Sequence, residues 1–445
     1  MQTFDRTIAA HWKTIANNLP VAYLYETGNG VCDPADCGTD AEVDRLAGLG
    51  VEVFGPPVWT LVTSQGHRMV PTTRSEKFQA MGAVLTPWTL ERSGCLENAI
   101  AFPGPCGWYY QGLADSAYEY ADVLLLMYSL YHEVHVDGVF SDFPATNTAF
   151  LNCVPKMGED SSGLVNVLNT ANAVTWTDGV LASHWFPKGA SCPWTTTPET
   201  DADCIHNQGL MTHIKDSLDT CGNNTLAQND MSIGHRGAAM VAPEHTMASY
   251  KLAADMGAGF IECDVAITKD QHLVCRHSQC DLHTTTDILK GAHSDLADKC
   301  SVPFTAATAA PTNAAVRCCT YDFTIAELET LCMTMDESTN SQATTAAEYT
   351  VGAPSWRSDV MVADECHKIV RHQDMAAWLI ETGHNAIPEL KDTHVAETVT
   401  FLTSVGMTKE TFANKLTDEL KAAGFTNSMS GRAWVDPLMP KVSET

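Results

Sequence analysis

Two acidic residues that alternate along one apolar stretch are the first candidates for chemistry in this sequence. Glu262 and Asp264 lie two positions apart in residues 260–267, whose alternation predicts a β-strand. Residues two apart on a strand project from the same face, so the two carboxylates would repel each other unless a cation lay between them. Oxygen ligands of this kind suit Mg²⁺, Ca²⁺ or Mn²⁺. Because an isolated Glu-x-Asp pair is more often a solvated surface, the neighbouring residues decide between the two interpretations.

Two histidines follow other predicted strands. His235 comes directly after residues 231–234, and His277 ends residues 273–277. One histidine as acid and another as base would suit cleavage of a phosphodiester near neutral pH. Arg236 offers a planar fork for phosphate oxygens. A lone histidine is more often structural, but two histidines at strand ends beside a carboxylate pair weigh against that interpretation.

A third carboxylate belongs to another predicted strand, residues 386–391. Glu389 and Lys391 are two positions apart on it, so both side chains are expected on one face. This strand therefore adds a candidate anion and a candidate cation to the same set.

The elements that must position these residues alternate between strands and helices, which favours a parallel sheet with helices outside it. The predicted strands are residues 22–24, 51–54, 82–88, 136–140, 231–234, 260–267, 273–277 and 386–391. The predicted helices are residues 42–49, 75–81, 116–131, 246–256, 324–333 and 373–382. About eight such units indicate an α/β fold of the (β/α)8 TIM-barrel type, with its chemistry at the C-terminal strand ends. An open doubly wound sheet is the alternative, but the glycine fingerprint it often carries is absent.

Composition divides the chain into three zones. Residues 1–153 are dense in aromatic and apolar residues, whereas residues 154–230 are rich in Ser, Thr, Asn, Asp and Gly and predict a connector. Residues 231–445 resume the alternation of strands and helices and contain most of the candidate residues. Within them, the Ala/Thr-rich residues 303–316 predict a surface loop.

The order of the candidate residues resembles the motifs of the glycerophosphodiester phosphodiesterase family. The matching segments are His235-Arg236-Gly237, Pro243-Glu244-His245-Thr246, Glu262-Cys263-Asp264-Val265, Thr268-Lys269-Asp270, His277 and Pro388-Glu389-Leu390-Lys391. Their order and spacing make the resemblance specific. It implies a TIM barrel that cleaves glycerophosphodiesters such as glycerophosphocholine to glycerol 3-phosphate and an alcohol.

The resemblance also implies a role for each matching residue. One divalent cation, Ca²⁺ or Mg²⁺, would be held by Glu262, Asp264 and Glu389. His235 and His277 would act as acid and base, and Arg236 and Lys391 would hold the phosphate. The sequence departs from the family at His245, where Asn is usual, and at Ser278, where Asp is usual. Both departures would affect the rate and the substrate preference.

The two halves of the family pattern stand in reversed order. Residues 137–144, Asp-Gly-Val-Phe-Ser-Asp-Phe-Pro, resemble a run near the family's C-terminus but precede His235 here. Residues 88–92 resemble its penultimate strand, and residues 2–5 resemble a Gln-Ser-Phe strand that should follow Glu389. We therefore expect residues 1–153 to correspond to the C-terminal half of the barrel and residues 231–445 to its N-terminal half. The chain is either one circularly permuted barrel, which we favour, or two half-barrels from a tandem array or a misassembled gene.

Charge and cysteine content limit the partners and the compartment. A formal net charge of −28 repels nucleic acid, so the expected partner is a small phosphodiester. Sixteen cysteines without zinc-like CxxC pairs indicate disulfides and an extracellular or secreted protein. Residues 1–5 have no basic or apolar signal-peptide character, so we expect the export signal to be missing from the sequence. No apolar run is long enough for a membrane span.

Several alternatives remain open at this point. Aromatic residues in barrel loops mostly serve packing, although Trp88 or Tyr109 would also suit the wall of a substrate pocket. Glu91 and Arg92 would suit a structural ion pair. The second candidate activity is a venom-type phospholipase D acting on sphingomyelin or lysolipids, although its third ligand is generally Asp. A binding barrel or an inactive fragment is the alternative without catalysis.

Overall fold

The computed structural model describes most of the chain. The described residues are 1–15, 20–24, 40–48, 50–91, 108–110, 112, 113, 115–117, 120–157, 192, 194–222, 225–290, 293–308, 313–362 and 365–425. Arg92 and the cysteine pairs Cys32/Cys37 and Cys95/Cys106 lie outside the described residues, as does most of the predicted connector. The described residues within 1–51, 234–254 and 260–425 form one compact unit, called unit 1, and the described residues within 52–233 and 255–259 form unit 2. The three-zone division of the sequence stays a prediction.

The regular elements alternate as the α/β class requires, which confirms a TIM-barrel-like α/β fold. The strands are β1 (Gln2–Thr3), β2 (Ala22–Leu24), β3 (Val53–Gly55), β4 (Val62–Gln65), β5 (Arg68–Pro71), β6 (Val84–Leu85), β7 (Val139–Ser141), β8 (Asn229–Gly234), β9 (Ala258–Ile267), β10 (Leu273–Cys275), β11 (Val302–Thr305), β12 (Ala315–Arg317) and β13 (Asn385–Leu390). The helices are α1 (Arg6–Ile15), α2 (Asp40–Gly48), α3 (Thr73–Met81), α4 (Val123–Tyr128), α5 (Pro144–Cys153), α6 (Ala202–Thr220), α7 (Met247–Asp255), α8 (Leu282–Thr285), α9 (Ser294–Ala297), α10 (Ile325–Leu328), α11 (His372–Thr382), α12 (Ala396–Ser404) and α13 (Lys409–Ala423).

Unit 1 is built on a parallel sheet in the order β2-β1-β13-β9. The short strand β10 pairs antiparallel with β9, and the disulfide Cys263–Cys275 ties these two strands together. Every residue of β9 is buried, as expected for a parallel strand that is covered on both faces. A strand of this kind can carry carboxylates only where something in the interior compensates their charge.

The N-terminal segment joins this sheet through the last helix of the unit. Helix α1 packs on α13, where the indole Nε1 of Trp12 donates to the carbonyl of Ala413 at 3.3 Å. Asp5 caps α1 by accepting from the backbone N–H of Thr7 at 2.8 Å, and Lys409 of α13 lies 3.0 Å from the same carboxylate. These contacts hold β1 beside β13, although the two strands lie at opposite ends of the described sequence.

Unit 2 contains the parallel pair β3 and β6 and the antiparallel hairpin β4–β5. Helix α4 continues into a π-helical segment, Ser129–Val134. The helix predicted over residues 116–131 is therefore shorter at its start than expected, and its second half changes hydrogen-bond pattern. The hairpin was not predicted, because its polar residues lack the apolar alternation of a buried strand.

Two further predictions were inaccurate in unit 1. The helix predicted over residues 324–333 ends after Leu328, and Thr324 and Glu327 cap its first turn. Residues 303–316, predicted as a loop, include the antiparallel pair β11–β12, while residues 309–312 lie outside the described part. Val316 of β12 belongs to a buried apolar cluster, which holds this strand against the interior.

Disulfides are abundant, as the cysteine content predicted. All cysteines in the described residues are paired, and the pairs are Cys153–Cys221, Cys192–Cys204, Cys263–Cys275, Cys280–Cys319, Cys300–Cys318 and Cys332–Cys366. The adjacent Cys318 and Cys319 thus bind different partners. No helix in the described ranges combines the length and apolar character needed to cross a bilayer.

The packing of α1 on α13 gives a stability prediction. Trp12 is fully buried, so Trp12→Ala should lower the free energy of unfolding by about 3–5 kcal/mol through lost burial and a cavity. Thr14→Ala, at an exposed position of the same helix, should change it by less than about 0.5 kcal/mol. Urea unfolding followed by circular dichroism measures both changes. Equal stability of the two variants would contradict the packing described for α1.

Candidate active site

Strand register brings three carboxylates of unit 1 together. Glu389 of β13 pairs with Asp264 of β9, and Ile387 pairs with Glu262, so the acidic residues of the two strands fall on adjacent positions. Each of the three carboxyl groups offers an oxygen that lies within 4.8 Å of the others, and all three are buried. The prediction that Glu262, Asp264 and Glu389 meet in space agrees with this geometry.

The three carboxyl groups do not titrate alike. Burial, followed by the charges of Asp264 and Glu389, raises the pKa of Glu262 well above its usual value. Burial also raises the pKa of Glu389, to about 7, against the opposing effect of Lys391. Burial acts in the same direction on Asp264, but Lys391, His245 and Arg236 outweigh it and hold its pKa well below the usual value. Asp264 is therefore the carboxylate that stays ionised, and the other two share the cost of crowding.

Two basic side chains border the carboxylates. The Lys391 Nζ lies 2.6 Å from Glu389 Oε1 and 3.7 Å from Asp264 Oδ1. Arg236 Nε lies 3.4 Å from Asp264 Oδ2, and the Arg236 backbone N–H donates to Glu262 Oε2 at 2.9 Å. Both predicted phosphate-holding residues thus lie at the edge of the acidic cluster.

The turn that carries Arg236 follows β8 and has an unusual backbone. Arg236 itself has φ 58°, and Gly237 has φ 88°. A Cβ at Gly237 would lie 2.7 Å from the carbonyl carbon of Ser249, so only glycine fits there. The turn places His235 Nε2 3.7 Å from Glu262 Oε2, in a buried position.

His277 follows β10 and is only partly exposed. Burial, followed by the positive charges of Arg236 and Lys391, lowers the pKa of His277 well below its usual value. Its imidazole is therefore neutral at pH 7 and can accept a proton.

An outer group of charges supports Arg236. The Arg236 Nη1 donates to both oxygens of buried Glu244 at 3.1 Å. Glu244 also accepts from Arg357 Nη2 at 3.2 Å and lies 3.9 Å from Arg276 Nη2. Arg276 in turn pairs with Asp281 at 3.2 Å. No role was predicted for Arg276 or Arg357. The position of Arg276 at the end of an apolar strand could have indicated a site residue, whereas no sequence pattern marks Arg357.

The two departures from the family pattern have distinct partners. His245 is fully buried, with Nε2 2.9 Å from Asp264 Oδ2 and Nδ1 3.0 Å from the Tyr250 hydroxyl. Since the carboxylate accepts, His245 donates through Nε2 and accepts from Tyr250 through Nδ1. Ser278 instead donates from Oγ to Asp392 at 3.0 Å. His245 thereby fixes one oxygen of Asp264.

The donor set fits a hard divalent cation. Among the described residues, Asp264 Oδ1 is a buried carboxylate oxygen that accepts no hydrogen bond, although Lys391 Nζ is 3.7 Å away. An ionised oxygen in this condition is costly unless a cation compensates it. Three carboxylates without cysteine or histidine in the cluster match the oxygen ligands of Ca²⁺ or Mg²⁺.

Trp88, predicted to contact the substrate, lies in unit 2. Its indole Nε1 donates to the carbonyl of Gly55 at 2.8 Å, and its ring packs edge to face on Trp59 and Tyr109. These contacts are those of a packed aromatic cluster, and its role in substrate binding stays a prediction. Glu91, also in unit 2, is buried and accepts from Ser141 Oγ at 2.7 Å.

The fold and site together define a class: an α/β protein of the TIM-barrel type with a buried cluster of three carboxylates that fits a divalent cation. Comparison with known proteins adds a similarity to one family. Residues 235–429 match the model of the Glycerophosphoryl diester phosphodiesterase family. This match confirms the family resemblance of the motifs. The matched range contains all of the predicted catalytic, phosphate-binding and metal-binding residues of unit 1.

Several curated proteins share sequence with this chain. "Probable glycerophosphodiester phosphodiesterase 1" of Mycobacterium tuberculosis is 47% identical over 60 residues, which are 14% of this chain and 22% of that protein. A protein of Arthroderma benhamiae named "Extracellular protein" is 32% identical over 114 residues, 25% of this chain and 45% of that one. "Glycerophosphodiester phosphodiesterase" of Bacillus subtilis is 36% identical over 73 residues, 16% and 25% respectively. The chain thus spans between 22% and 45% of the length of these relatives.

A solved structure was also matched. The glycerophosphodiester phosphodiesterase from Agrobacterium tumefaciens aligns over 43% of this chain and 62% of that chain, with 19% identity and a TM-score of 0.22.

The Glu244 cluster gives a second stability prediction. Glu244→Gln would leave three buried guanidinium groups without their shared carboxylate, so the free energy of unfolding should fall by about 3–5 kcal/mol. Lys299→Gln, which breaks the exposed 2.7 Å pair with Glu327, should cost no more than about 1 kcal/mol. Urea unfolding at pH 7 compares the two. A Glu244→Gln variant as stable as Lys299→Gln would contradict the compensation described for the arginines.

Glu91 gives a prediction of pH dependence. Burial, opposed by Ser141 and reinforced by Asp142, raises the pKa of Glu91 to about 8. Because the folded state keeps a proton that the unfolded chain releases near pH 4.5, this residue makes stability fall as pH rises from about 5 to 8, by on the order of a few kcal/mol. Glu91→Gln should therefore flatten the stability–pH curve over this range. Unfolding free energies at pH 5 and pH 8 that change equally in both proteins would contradict a buried, protonated Glu91.

Proposed function

We propose that this chain is a metal-dependent phosphodiesterase that hydrolyses glycerophosphodiesters, such as glycerophosphocholine, to glycerol 3-phosphate and an alcohol. The observation that carries the proposal is the cluster of Glu262, Asp264 and Glu389, with Arg236 and Lys391 at its edge. The match of residues 235–429 to the phosphodiesterase family supports the substrate class.

The three carboxylates would hold one divalent cation, Ca²⁺ or Mg²⁺. When bound, such a cation neutralises phosphoryl oxygens and lowers the pKa of an attacking hydroxyl or water. Lys391 and Arg236 would bind the non-bridging oxygens of the phosphate, because both are cationic and both border the carboxylates. Glu244 would keep the Arg236 guanidinium in one orientation through its two hydrogen bonds.

The two histidines would move the protons. His277, whose pKa is lowered by burial and by Arg236 and Lys391, accepts a proton from the attacking hydroxyl or water. A new phosphorus–oxygen bond forms while the bond to the alcohol oxygen breaks, and His235 donates a proton to that leaving oxygen. With water as the nucleophile, the products are glycerol 3-phosphate and the free alcohol.

The chain order would be permuted relative to the family. In unit 1, β1 from the first residues pairs in parallel with β13, with Gln2 opposite Glu389, as expected for a strand that follows Glu389 in the family pattern. Secretion is proposed on the disulfides and on similarity to the relative named "Extracellular protein". Both proposals are independent of the catalytic roles.

The activity has a direct test. Release of glycerol 3-phosphate from glycerophosphocholine should be measured with purified, oxidised protein, after EDTA treatment and after adding back Ca²⁺ or Mg²⁺. EDTA should abolish turnover, and His235→Ala should lower kcat by about 10²–10⁴-fold. His272→Ala, which removes a partly exposed histidine 3.9 Å from Asp270, should retain activity and serves as the control.

The same assay can also contradict the proposed activity. Turnover of sphingomyelin or a lysophospholipid without turnover of glycerophosphocholine would replace the proposal by a phospholipase D activity. A folded protein that turns over none of these substrates with either metal would contradict a catalytic role altogether.

A further inference from the structure

Gln2 is a buried polar residue that belongs to none of the catalytic motifs. It is fully buried in β1, opposite Glu389 of β13, which is in turn opposite Asp264 of β9. Residues in register on adjacent parallel strands project from the same face, so Gln2 shares the face of two of the carboxylates. We propose that the side-chain carbonyl of Gln2 is a fourth oxygen ligand of the cation, an inference that rests on the metal site of the proposed function.

The hydrogen bond to Glu262 fixes which way the amide points. Gln2 Nε2 donates to Glu262 Oε1 at 2.8 Å, between residues 260 positions apart in the sequence. With a cation bound, Glu262 is ionised and can only accept, so the amide nitrogen faces Glu262 and the amide oxygen faces elsewhere. The orientation of Gln2 is therefore set by one of the proposed ligands.

The amide oxygen lacks a hydrogen-bond partner of its own. Gln2 Oε1 is buried, and none of the described residues donates a hydrogen bond to it. A buried acceptor left unsatisfied costs about 1–3 kcal/mol. Asp264 Oδ1 is also buried and without a hydrogen bond from the described residues. Asp264 is paired with Glu389, which is paired with Gln2, so the three residues are aligned across the sheet. One cation bound by both oxygens would compensate both.

The chemistry of an amide oxygen suits this place. Side-chain amide carbonyls are regular ligands of Ca²⁺, together with carboxylates. Three carboxylates already crowd the site, and a neutral ligand adds an oxygen without adding repulsion. A carboxylate at position 2 would lie at hydrogen-bond distance from Glu262 and would add repulsion in the metal-free protein, which the neutral amide avoids.

Packing holds this ligand in position. Asp5 caps α1 directly after β1, and Trp12 of α1 is fully buried against α13. The strand that carries Gln2 is therefore anchored on both sides, by β13 and by α1. Such anchoring gives a ligand a defined geometry despite its place in a two-residue strand.

A matched set of variants tests the proposal through metal binding alone. Ca²⁺, Mg²⁺ and Mn²⁺ should be titrated separately into metal-stripped protein by isothermal calorimetry, for the wild type, Gln2→Leu and Gln2→Glu. Gln2→Leu removes both amide functions and should weaken binding of the best-bound metal by at least about tenfold. Gln2→Glu keeps an oxygen but cannot donate to Glu262 when ionised, so its affinity should stay within about threefold of the wild type or rise. Gln373→Glu adds the same charge at an exposed position of α11 and should leave the affinity unchanged.

The outcomes separate the inference from the proposed function. Metal binding by Gln2→Leu equal to that of the wild type would overturn the inference while leaving the metal site intact. Equal weakening in Gln2→Leu and Gln2→Glu would also overturn it, because Gln2 would then act only as a donor to Glu262. Wild-type protein that binds none of the three metals would overturn the metal site itself. Circular dichroism of each metal-free variant confirms that it is folded.

Discussion

Charge crowding among three buried carboxylates is the constraint on which the rest of unit 1 depends. Glu262, Asp264 and Glu389 present oxygens within 4.8 Å of one another, and all three residues are buried. Two like charges 4 Å apart repel by about 4 kcal/mol even at an effective dielectric constant of 20. Such a cluster persists in a folded protein only where cations, protons or hydrogen-bond donors offset it.

The surrounding residues supply that compensation in alternating layers of charge. Lys391 and Arg236 contact the carboxylates, Glu244 contacts Arg236, and Arg276 and Arg357 contact Glu244. Each layer neutralises the one inside it, so the buried charges form a connected network instead of isolated pairs. Because removing one member leaves its neighbours unpaired, we expect the network to lose stability and catalytic geometry together.

Much of the site could be predicted from sequence because its residues follow local rules. The alternation around Glu262 and Asp264 predicted a strand and a shared face, and the structure has that strand in β9. The residues after β8 and β10 predicted histidines at strand ends, where His235 and His277 are found. Strand periodicity and the position of a residue at a strand end depend only on a short stretch of sequence, so both can be predicted without knowing the tertiary fold.

What could not be predicted depends on distant parts of the chain. The contact between Gln2 and Glu262 joins residues 260 positions apart. The match of residues 2–5 to a family strand predicted where this strand belongs but not its contact with the site. Arg357 comes from a stretch without helical or strand periodicity and reaches Glu244 only through the tertiary fold. The shortening of the helix at residues 324–333 is also tertiary, since Leu328 and Leu331 are both drawn into the same apolar cluster.

The most direct test of the account is the position of the cation. Crystals grown or soaked with Mn²⁺ and measured at a wavelength near the manganese edge would locate it by anomalous scattering. The account predicts one strong peak in contact with Glu262, Asp264 and Glu389. A fully occupied peak elsewhere, or none at Mn²⁺ concentrations that support activity, would contradict the central claim that this cluster is the metal site.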